Sequence, residues 1–337
     1  MIQLGPHGIG NPVFLAPMEC YTNAPYRRLA REMGACWATT EMARAEAVIR
    51  RIPSTMNLLA KAPGEGGPAA PLAGQIVGSS PAVMAEAARV IEGLGLDAVD
   101  LNFGCPSRRV RSEEAGGFLL LHPERIGAIV EAVVNTVKVP VTVKMRCGFD
   151  EERVTIAQVV RAAESAGAAA VAIHARTVKQ GYAGSGRSLW HRVGEAKAAV
   201  RIPVLGNGDI RSGADLEAIR KETGCDGVLV ARASMGNPWI FRELRADGAA
   251  APPLPSREEV LAVMDRHLAL LEESLPPRAA AHLFALHGYG YAKRMILPTA
   301  FRRALSRRWL PPELRQLFLG WPESAGRFGI DLQAKAA

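Results

Sequence analysis

Residues 97–110 read DAVDLNFGCPSRRV. The apolar run through Phe103 predicts a short buried strand, and Gly104-Cys105-Pro106 breaks it with a turn. Gly104 frees the backbone to turn sharply, and Pro106 fixes the chain just after the thiol. A side chain held this way at the C-terminal end of a parallel strand points into the pocket where barrel enzymes do their chemistry. Arg108, Arg109 and Arg111 follow at once, so a polyanion can lie over the same mouth. A buried, inert cysteine in a turn is the plain alternative.

The same strand-like pattern recurs outward from this stretch. Short apolar runs occupy Val13–Met18, Trp37–Met42, Ala73–Gly78, Ala98–Phe103, Val141–Arg146, Ala170–Ala175, Pro203–Asn207 and Gly227–Ala231. Helical spacing separates them, as in Val83, Ala87, Val90, Ile91 and in Ile126, Ile129, Val130, Val133, Val137. Strands that are apolar throughout, alternating with helices, belong to a parallel sheet covered on both faces. Eight such units in about 240 residues predict an α/β fold of the (β/α)8 TIM-barrel type. Ala246–Ser256, reading ADGAAAPPLPS, is a Pro/Ala linker, and the strand signals stop after it. The division expected is a barrel over 1–245, a linker over 246–256 and a smaller all-helical domain over 257–337.

At 337 residues the chain can bury a sizeable core. It has no 18-residue apolar run and no apolar signal core at its start, which argues against a membrane partner. Five scattered cysteines, at 20, 36, 105, 147 and 225, form no CxxC pair and no metal-ligand spacing. The expectation is a cytoplasmic, monomeric protein with reduced thiols and no metal. A net charge of +8 favours an anionic partner.

Polar residues fall at the strand ends, where a barrel active site requires them. Met18 follows Ala-Pro at the first strand, Gln75 sits in the third, and Asn102 and Cys105 end the fourth. Lys144 ends the fifth, His174 and Arg176 the sixth, Asn207-Gly208-Asp209 the seventh and Arg232 the eighth. Each alone has an ordinary structural reading, such as a salt-bridged lysine or a core histidine. Together they suggest flavin chemistry. The loops GNGDI and ARASMGN let backbone N–H groups crowd a phosphate, and there is no P-loop and no convincing dinucleotide turn. A monophosphate cofactor such as FMN suits them. Gln75 can meet the pyrimidine edge of an isoalloxazine ring, and Lys144 can neutralise charge on the reduced ring.

The motifs LAPM (15–18), EM (41–42), GQIVG (74–78), DLNFGCP (100–106), VKMRCG (143–148), HARTVKQGYAG (174–184), GNGDI (206–210) and ARASMGNPWIF (231–241) make the chain resemble the tRNA-dihydrouridine synthases. The resemblance spans Leu15 to Phe241. It implies an FMN enzyme that reduces C5=C6 of selected uridines in tRNA, with NADPH as electron source and a C-terminal helical domain gripping the tRNA. It implies Ala16, Pro17, Met18, Gln75 and Lys144 at the flavin ring and His174 near the ring or the ribityl-phosphate region. Asn207, Gly208, Asp209, Ala231 and Arg232 are implied at the ribityl and phosphate groups. Asn102 and Arg176 resemble uracil-facing residues, and Cys105 resembles the proton donor that protonates C5 after hydride reaches C6. The chain departs from the family pattern at Ser112–Gly117, where basic residues and Gly-Ala-Gly-Ser are common, and at Ala231, where glycine is common.

From Lys293 to Arg315, seven basic residues face one acid, Glu313, giving +6 of the net charge. Arg294, Arg302, Arg303, Arg307 and Arg308, with Arg108 and Arg109 at the barrel mouth, are the expected RNA contacts. A solvated helix face is the plain alternative. Tyr289, Tyr291, Phe301 and Trp309 interleave with these charges, most as core, with one able to stack on RNA. Three other readings stay open: a dihydrouridine synthase acting on ribosomal RNA, a dihydroorotate dehydrogenase-like flavin oxidoreductase, and a catalytically silent RNA-binding barrel.

Overall fold

Eight runs of buried residues close on one another through parallel pairing. The computed structural model describes residues 1–153, 155–244, 253–295, 299–305, 307 and 309–321. Numbering strands along the chain, β1 (Ile2–Leu4) and β2 (His7–Ile9) form an antiparallel hairpin. The barrel strands are β3 (Val13–Leu15), β4 (Trp37–Thr39), β6 (Leu72–Val77), β7 (Ala98–Phe103), β8 (Val141–Arg146), β9 (Ala170–His174), β10 (Val204–Asn207) and β11 (Gly227–Val230). Each pairs in parallel with its neighbour, β11 returns to β3, and β4 pairs with β6, so the sheet is a closed eight-stranded barrel. A two-residue strand, β5 (Ala43–Arg44), pairs with β6 outside the ring.

Closure puts strand residues inside on both faces, which is why β3, β4, β6, β10 and β11 are buried without interruption. At the N-terminal end, Ile2, Leu4 and Ile9 of the hairpin pack with Phe14, Trp37, Ala98, Ala170 and Leu205 as a plug. The sequence offered no strand signal there, because three-residue strands are too short to show a period of two. Prolines start several helices, at Pro81–Gly93 and Pro123–Val134 among others. The first buries Met84, Ala87, Ala88 and Ile91, so Val83 and Val90 lie beside the buried stripe rather than on it. The second buries Ile126, Ile129, Val130 and Val133 as expected, and ends before Val137.

A buried ion pair staples the first βα unit. Arg27 donates to Glu65 from Nε at 2.9 Å and Nη2 at 2.7 Å, and also to the Thr22 and Ala60 carbonyls. Both side chains are essentially inaccessible, at 0% and 1%.

The chain divides into two compact units, Met1–Ala233 with Phe241–Ala251, and Ser234–Ile240 with Pro252–Ala337. Much of the linker expected at 246–256 lies outside the described residues, as do 322–337. The second unit contains helices Arg257–Ser274, Pro277–Arg294, Thr299–Leu305 and Pro311–Leu319. Its core joins Val260, Met264, Leu268 and Leu271 with Phe284, Tyr291, Leu317 and Phe318. Ser234–Ile240 goes with it because Gly236 and Gly290 let two backbones meet: a Cβ on Gly290 would stand 1.8 Å from the Met235 carbonyl oxygen. Among the described residues, no helix is long and apolar enough to cross a membrane.

Candidate active site at the barrel rim

Register decides which side chains share the rim. Gln75 on β6 pairs with Asp100 on β7, Asn102 with Lys144 on β8, Arg146 with His174 on β9, and His174 with Asn207 on β10. Ala16, Pro17 and Met18 leave β3, with Ala16 N donating to the Val230 carbonyl at 2.9 Å. Thr22 holds both the Met18 N–H, at 2.9 Å, and the Met18 carbonyl, at 3.1 Å.

The turn after β7 is held from several directions. Asn102 Oδ1 accepts the Gly104 and Cys105 N–H groups at 3.0 and 2.9 Å, and the Cys105 carbonyl accepts the Gly117 N–H at 3.0 Å. Cys105 is half-buried beside Val77, Val110 and Ala115. Gly104 is needed for room rather than for a left-handed turn: its φ is not positive, and a Cβ there would lie 3.3 Å from the Arg146 nitrogen. Gly116 and Gly117 likewise sit where a Cβ would press on the Cys105 carbonyl at 3.1 Å. The acidic pair that departs from the family pattern is absorbed by the fold. Glu113 pairs with Arg44, and Glu114 with Arg125 at 3.0 Å.

Electrostatics separate the titratable groups. Burial lowers the Lys144 ammonium to about 8, Arg146 adds to this, and Asp100 opposes it. Lys144 makes no hydrogen bond or ion pair with any described residue. Burial raises the Asp100 carboxyl to about 6, against the hydrogen bonds from Gln75 and Thr142. Burial, with Lys144, Arg146, Arg176 and Arg232, holds His174 well below its ordinary 6.5, so its imidazole is neutral at pH 7.

Asp209, at φ +54°, gathers cations at the end of β10. Its Oδ2 accepts from Arg176 and from the Gly186 N–H, both at 2.6 Å, and its Oδ1 accepts from Arg211 at 3.0 Å and Arg232 at 3.1 Å. Burial alone would raise this carboxyl; the Gly186 N–H and the cations Arg211 and Arg176 overturn that and hold it below the usual carboxylate range. Arg176 is 1% exposed, and it also donates to the Ala183 and Gly184 carbonyls and contacts His174 Nε2. Asn207 Nδ2 donates to the Leu229 carbonyl at 2.8 Å, and Ala231 has no positive φ, so a side chain is tolerated where glycine is common.

Sequence reasoning passed over Asp100, Arg146 and Arg211. Arg146 is buried and donates to the Gly104, Thr177 and Gly181 carbonyls, joining the loops after β7 and β9. It stands inside VKMRCG, one of the quoted motifs, but no local pattern marks a guanidinium whose partners lie 31–42 residues away.

Arg108 and Arg109 lie exposed on the short helix Arg108–Ser112, whose first turn is capped by Ser107. In the second unit Arg303 and Arg307 are exposed, Arg294 and Arg302 half-buried, and Arg308 lies outside the described residues. Arg315 is engaged by Asp265 and Glu272, both at 2.6 Å, and Glu313 caps its own helix through the Leu310 N–H. Tyr291 and Phe301 are core, whereas Tyr289 is 60% exposed with the Arg302 guanidinium 5.2 Å from its ring centre. Among the described residues, no group of three or more His, Cys, Asp or Glu side chains could hold a metal ion.

Comparison with known proteins finds relatives along most of the chain. The dihydrouridine synthase family model matches residues 14–316. A probable tRNA-dihydrouridine synthase of Aquifex aeolicus is 40% identical over 238 residues, covering 69% of this chain and 72% of the relative. One from Mycobacterium tuberculosis is 38% identical over 319 residues, covering 90% and 80%. The tRNA-dihydrouridine synthase B of Xanthomonas axonopodis is 36% identical over 313 residues, covering 92% of each. With a match running from the first barrel strand into the helix Pro311–Leu319, the chain belongs to the dihydrouridine synthase family.

Proposed function

We propose that the protein reduces the C5=C6 bond of selected uridines in tRNA to 5,6-dihydrouridine, with FMN as bound cofactor, NADPH as reductant and Cys105 as proton donor. The observation that carries this reading is the half-buried Lys144 ammonium. It has no partner among the described residues and stands in register with the Asn102 that holds the Cys105 turn. A cation left this way suits a ring that becomes anionic on reduction. Ala16, Pro17, Met18, Gln75 and Lys144 would hold the ring, with His174 as a neutral neighbour. Asn207, Gly208, Asp209, Ala231 and Arg232 would hold the ribityl and phosphate groups. We add Arg211, because Asp209 brings it and Arg232 to one oxygen and leaves the site net positive.

When bound, FMN supplies the hydride that reaches C6 of the uracil. Cys105 gives its Sγ proton to C5, and the resulting thiolate is reprotonated from solvent. Asn102 and Arg176 orient the uracil. Four of the five Arg176 donors are spent inside the protein, so one Nη1–H remains for the base. The target uridine must leave its stack to reach this rim, which costs least in loops. The names of the relatives favour tRNA over ribosomal RNA and over a free pyrimidine. The test is incubation of purified protein, FMN and NADPH with unmodified tRNA, with ribosomal RNA and with orotate. Dihydrouridine should form in the tRNA alone; product only from another substrate would move the assignment there.

The purified protein is expected to be yellow and to release FMN in equimolar amount on denaturation. Lys144→Met should retain less flavin. In the wild type, flavin affinity should fall as pH rises through about 8, where the Lys144 ammonium deprotonates, and the variant should lack that dependence. Release of FAD, or a Lys144→Met variant with the wild-type pH profile, would count against the cofactor site.

Changing Arg302, Arg303 and Arg307 in the second unit to Gln should weaken tRNA binding. It should also make the slope of log affinity against log salt shallower by roughly 2–3, about 0.7–0.9 for each phosphate no longer neutralised. Flavin reduction by NADPH should be unaffected. A folded variant with unchanged salt slope would place the RNA surface elsewhere, on the exposed Arg108 and Arg109 first.

A further inference from the structure

Asp100 lies in mid-β7, between Gln75 on β6 and Thr142 on β8, and only 6% of it is exposed. An ionised carboxylate can only accept hydrogen bonds, so whatever meets it must donate. Oδ1 accepts the Thr142 hydroxyl at 2.6 Å, and Oδ2 accepts Gln75 Nε2 at 2.6 Å. The Gln75 amide is therefore turned with its nitrogen toward Asp100 and its oxygen away. That oxygen accepts from Asn102 Nδ2 at 2.9 Å, which turns the Asn102 oxygen toward the loop. There it takes the N–H groups of Gly104 and Cys105. The chain begins at a group that only accepts and ends at two backbone groups that only donate. Every amide between them has one orientation that satisfies both ends.

We propose that Asp100 is a positioning residue: it sets which way round the Gln75 and Asn102 amides face, and through them holds the turn that carries Cys105. This rests on the functional reading above for the roles of Gln75 and Cys105. The chemistry of the relay separates polarity from charge. A hydroxyl can accept as well as donate. In Asp100→Asn, the Asn oxygen can keep the Gln75 N–H while its nitrogen donates to Thr142 Oγ1. The relay survives and the charge is gone. In Asp100→Leu, a side chain of similar shape has no acceptor, so the Gln75 N–H is stranded and both amides are released.

The test compares Asp100→Asn, Asp100→Leu and Thr142→Val in the full-length, flavin-loaded protein. Asp100→Leu is expected to lower kcat for dihydrouridine formation about 10²-fold with little change in KM for tRNA, the scale of loss for a misplaced reacting group. Asp100→Asn should stay within about threefold, since each hydrogen bond is replaced. Thr142→Val should lower Tm without moving kcat, because Asp100 still accepts from Gln75. A second readout is the rate at which iodoacetamide alkylates Cys105, followed on its own peptide. It should rise several-fold in Asp100→Leu and stay unchanged in the other two. Should Asp100→Leu fail to fold, Asp100→Ser, too short to reach Gln75, carries the same expectation. An Asp100→Asn variant as impaired as Asp100→Leu would overturn the relay in favour of charge beside Lys144. Losses that simply track Tm across all three would reduce Asp100 to a stabilising residue. Alkylation needs neither flavin nor RNA. If the protein binds no FMN or makes no dihydrouridine, the functional reading fails while the relay is still decided.

Discussion

Cys105→Ala is expected to cut dihydrouridine formation by about 10²-fold or more, the usual contribution of a positioned general acid. Bleaching of the flavin by NADPH should continue at the wild-type rate, because that half-reaction uses no thiol. The expectation rests on how the thiol is held. Its N–H is fixed by Asn102 Oδ1, its carbonyl by the Gly117 N–H, and the residue is only half-buried, so the sulfur is both placed and reachable. Cys105→Ser, which keeps an O–H of much weaker acidity, should fall between the two. Single-turnover mixing of pre-reduced enzyme with tRNA separates these steps. A Cys105→Ala enzyme that still reduces uridine at near wild-type rate would shift the proton to another donor. Lys144, lowered to about 8, is then the next candidate on the rim.

Arg27→Met is expected to cost about 3–5 kcal/mol of stability, because it strands a buried carboxylate. Glu65 would keep only the Ala62 N–H at 2.7 Å and the more distant Arg31 at 3.6 Å. The double variant Arg27→Met/Glu65→Met should recover most of the loss, since replacing both members of a buried pair by apolar groups is often neutral. Urea unfolding of the three proteins gives the comparison directly. A single variant that loses less than about 1 kcal/mol would show that water or Arg31 takes over the charge. The consequence reaches the active site by a short path. Arg27 holds the Thr22 carbonyl at 3.0 Å, and the Thr22 hydroxyl holds both backbone groups of Met18. Flavin retention should therefore fall in the single variant before the barrel melts.

The barrel was legible in the chain because its strands are short apolar runs, five of them buried without interruption. Val141–Arg146 and Ala98–Phe103 were found with the bounds they have in the structure. The family motifs run along such strands and into the turns after them, which is why Cys105, Asn102, Gln75, Lys144 and His174 could be singled out as candidates from the chain. Helix faces were harder. A stripe containing both Val83 and Val90 reads as well as the true one through Met84 and Ile91, because neighbouring registers of an alanine-rich helix differ little in hydrophobicity.

What the sequence determined by itself was local: runs of apolar residues, prolines that start helices, and a Gly-Cys-Pro turn whose chemistry is written in adjacent positions. What only the tertiary structure decided was the partnership of polar groups far apart in the chain. Arg176 meets Asp209 across 33 residues, Arg27 meets Glu65 across 38, and Thr142 meets Asp100 across 42. Even the reason for Gly104 changed, from backbone freedom to the space that the β8 backbone requires. A hydrophobic pattern depends on residues a few positions apart, so it survives in one dimension. A buried charge must find its counterion through space, and closure of the barrel is what supplies the neighbour.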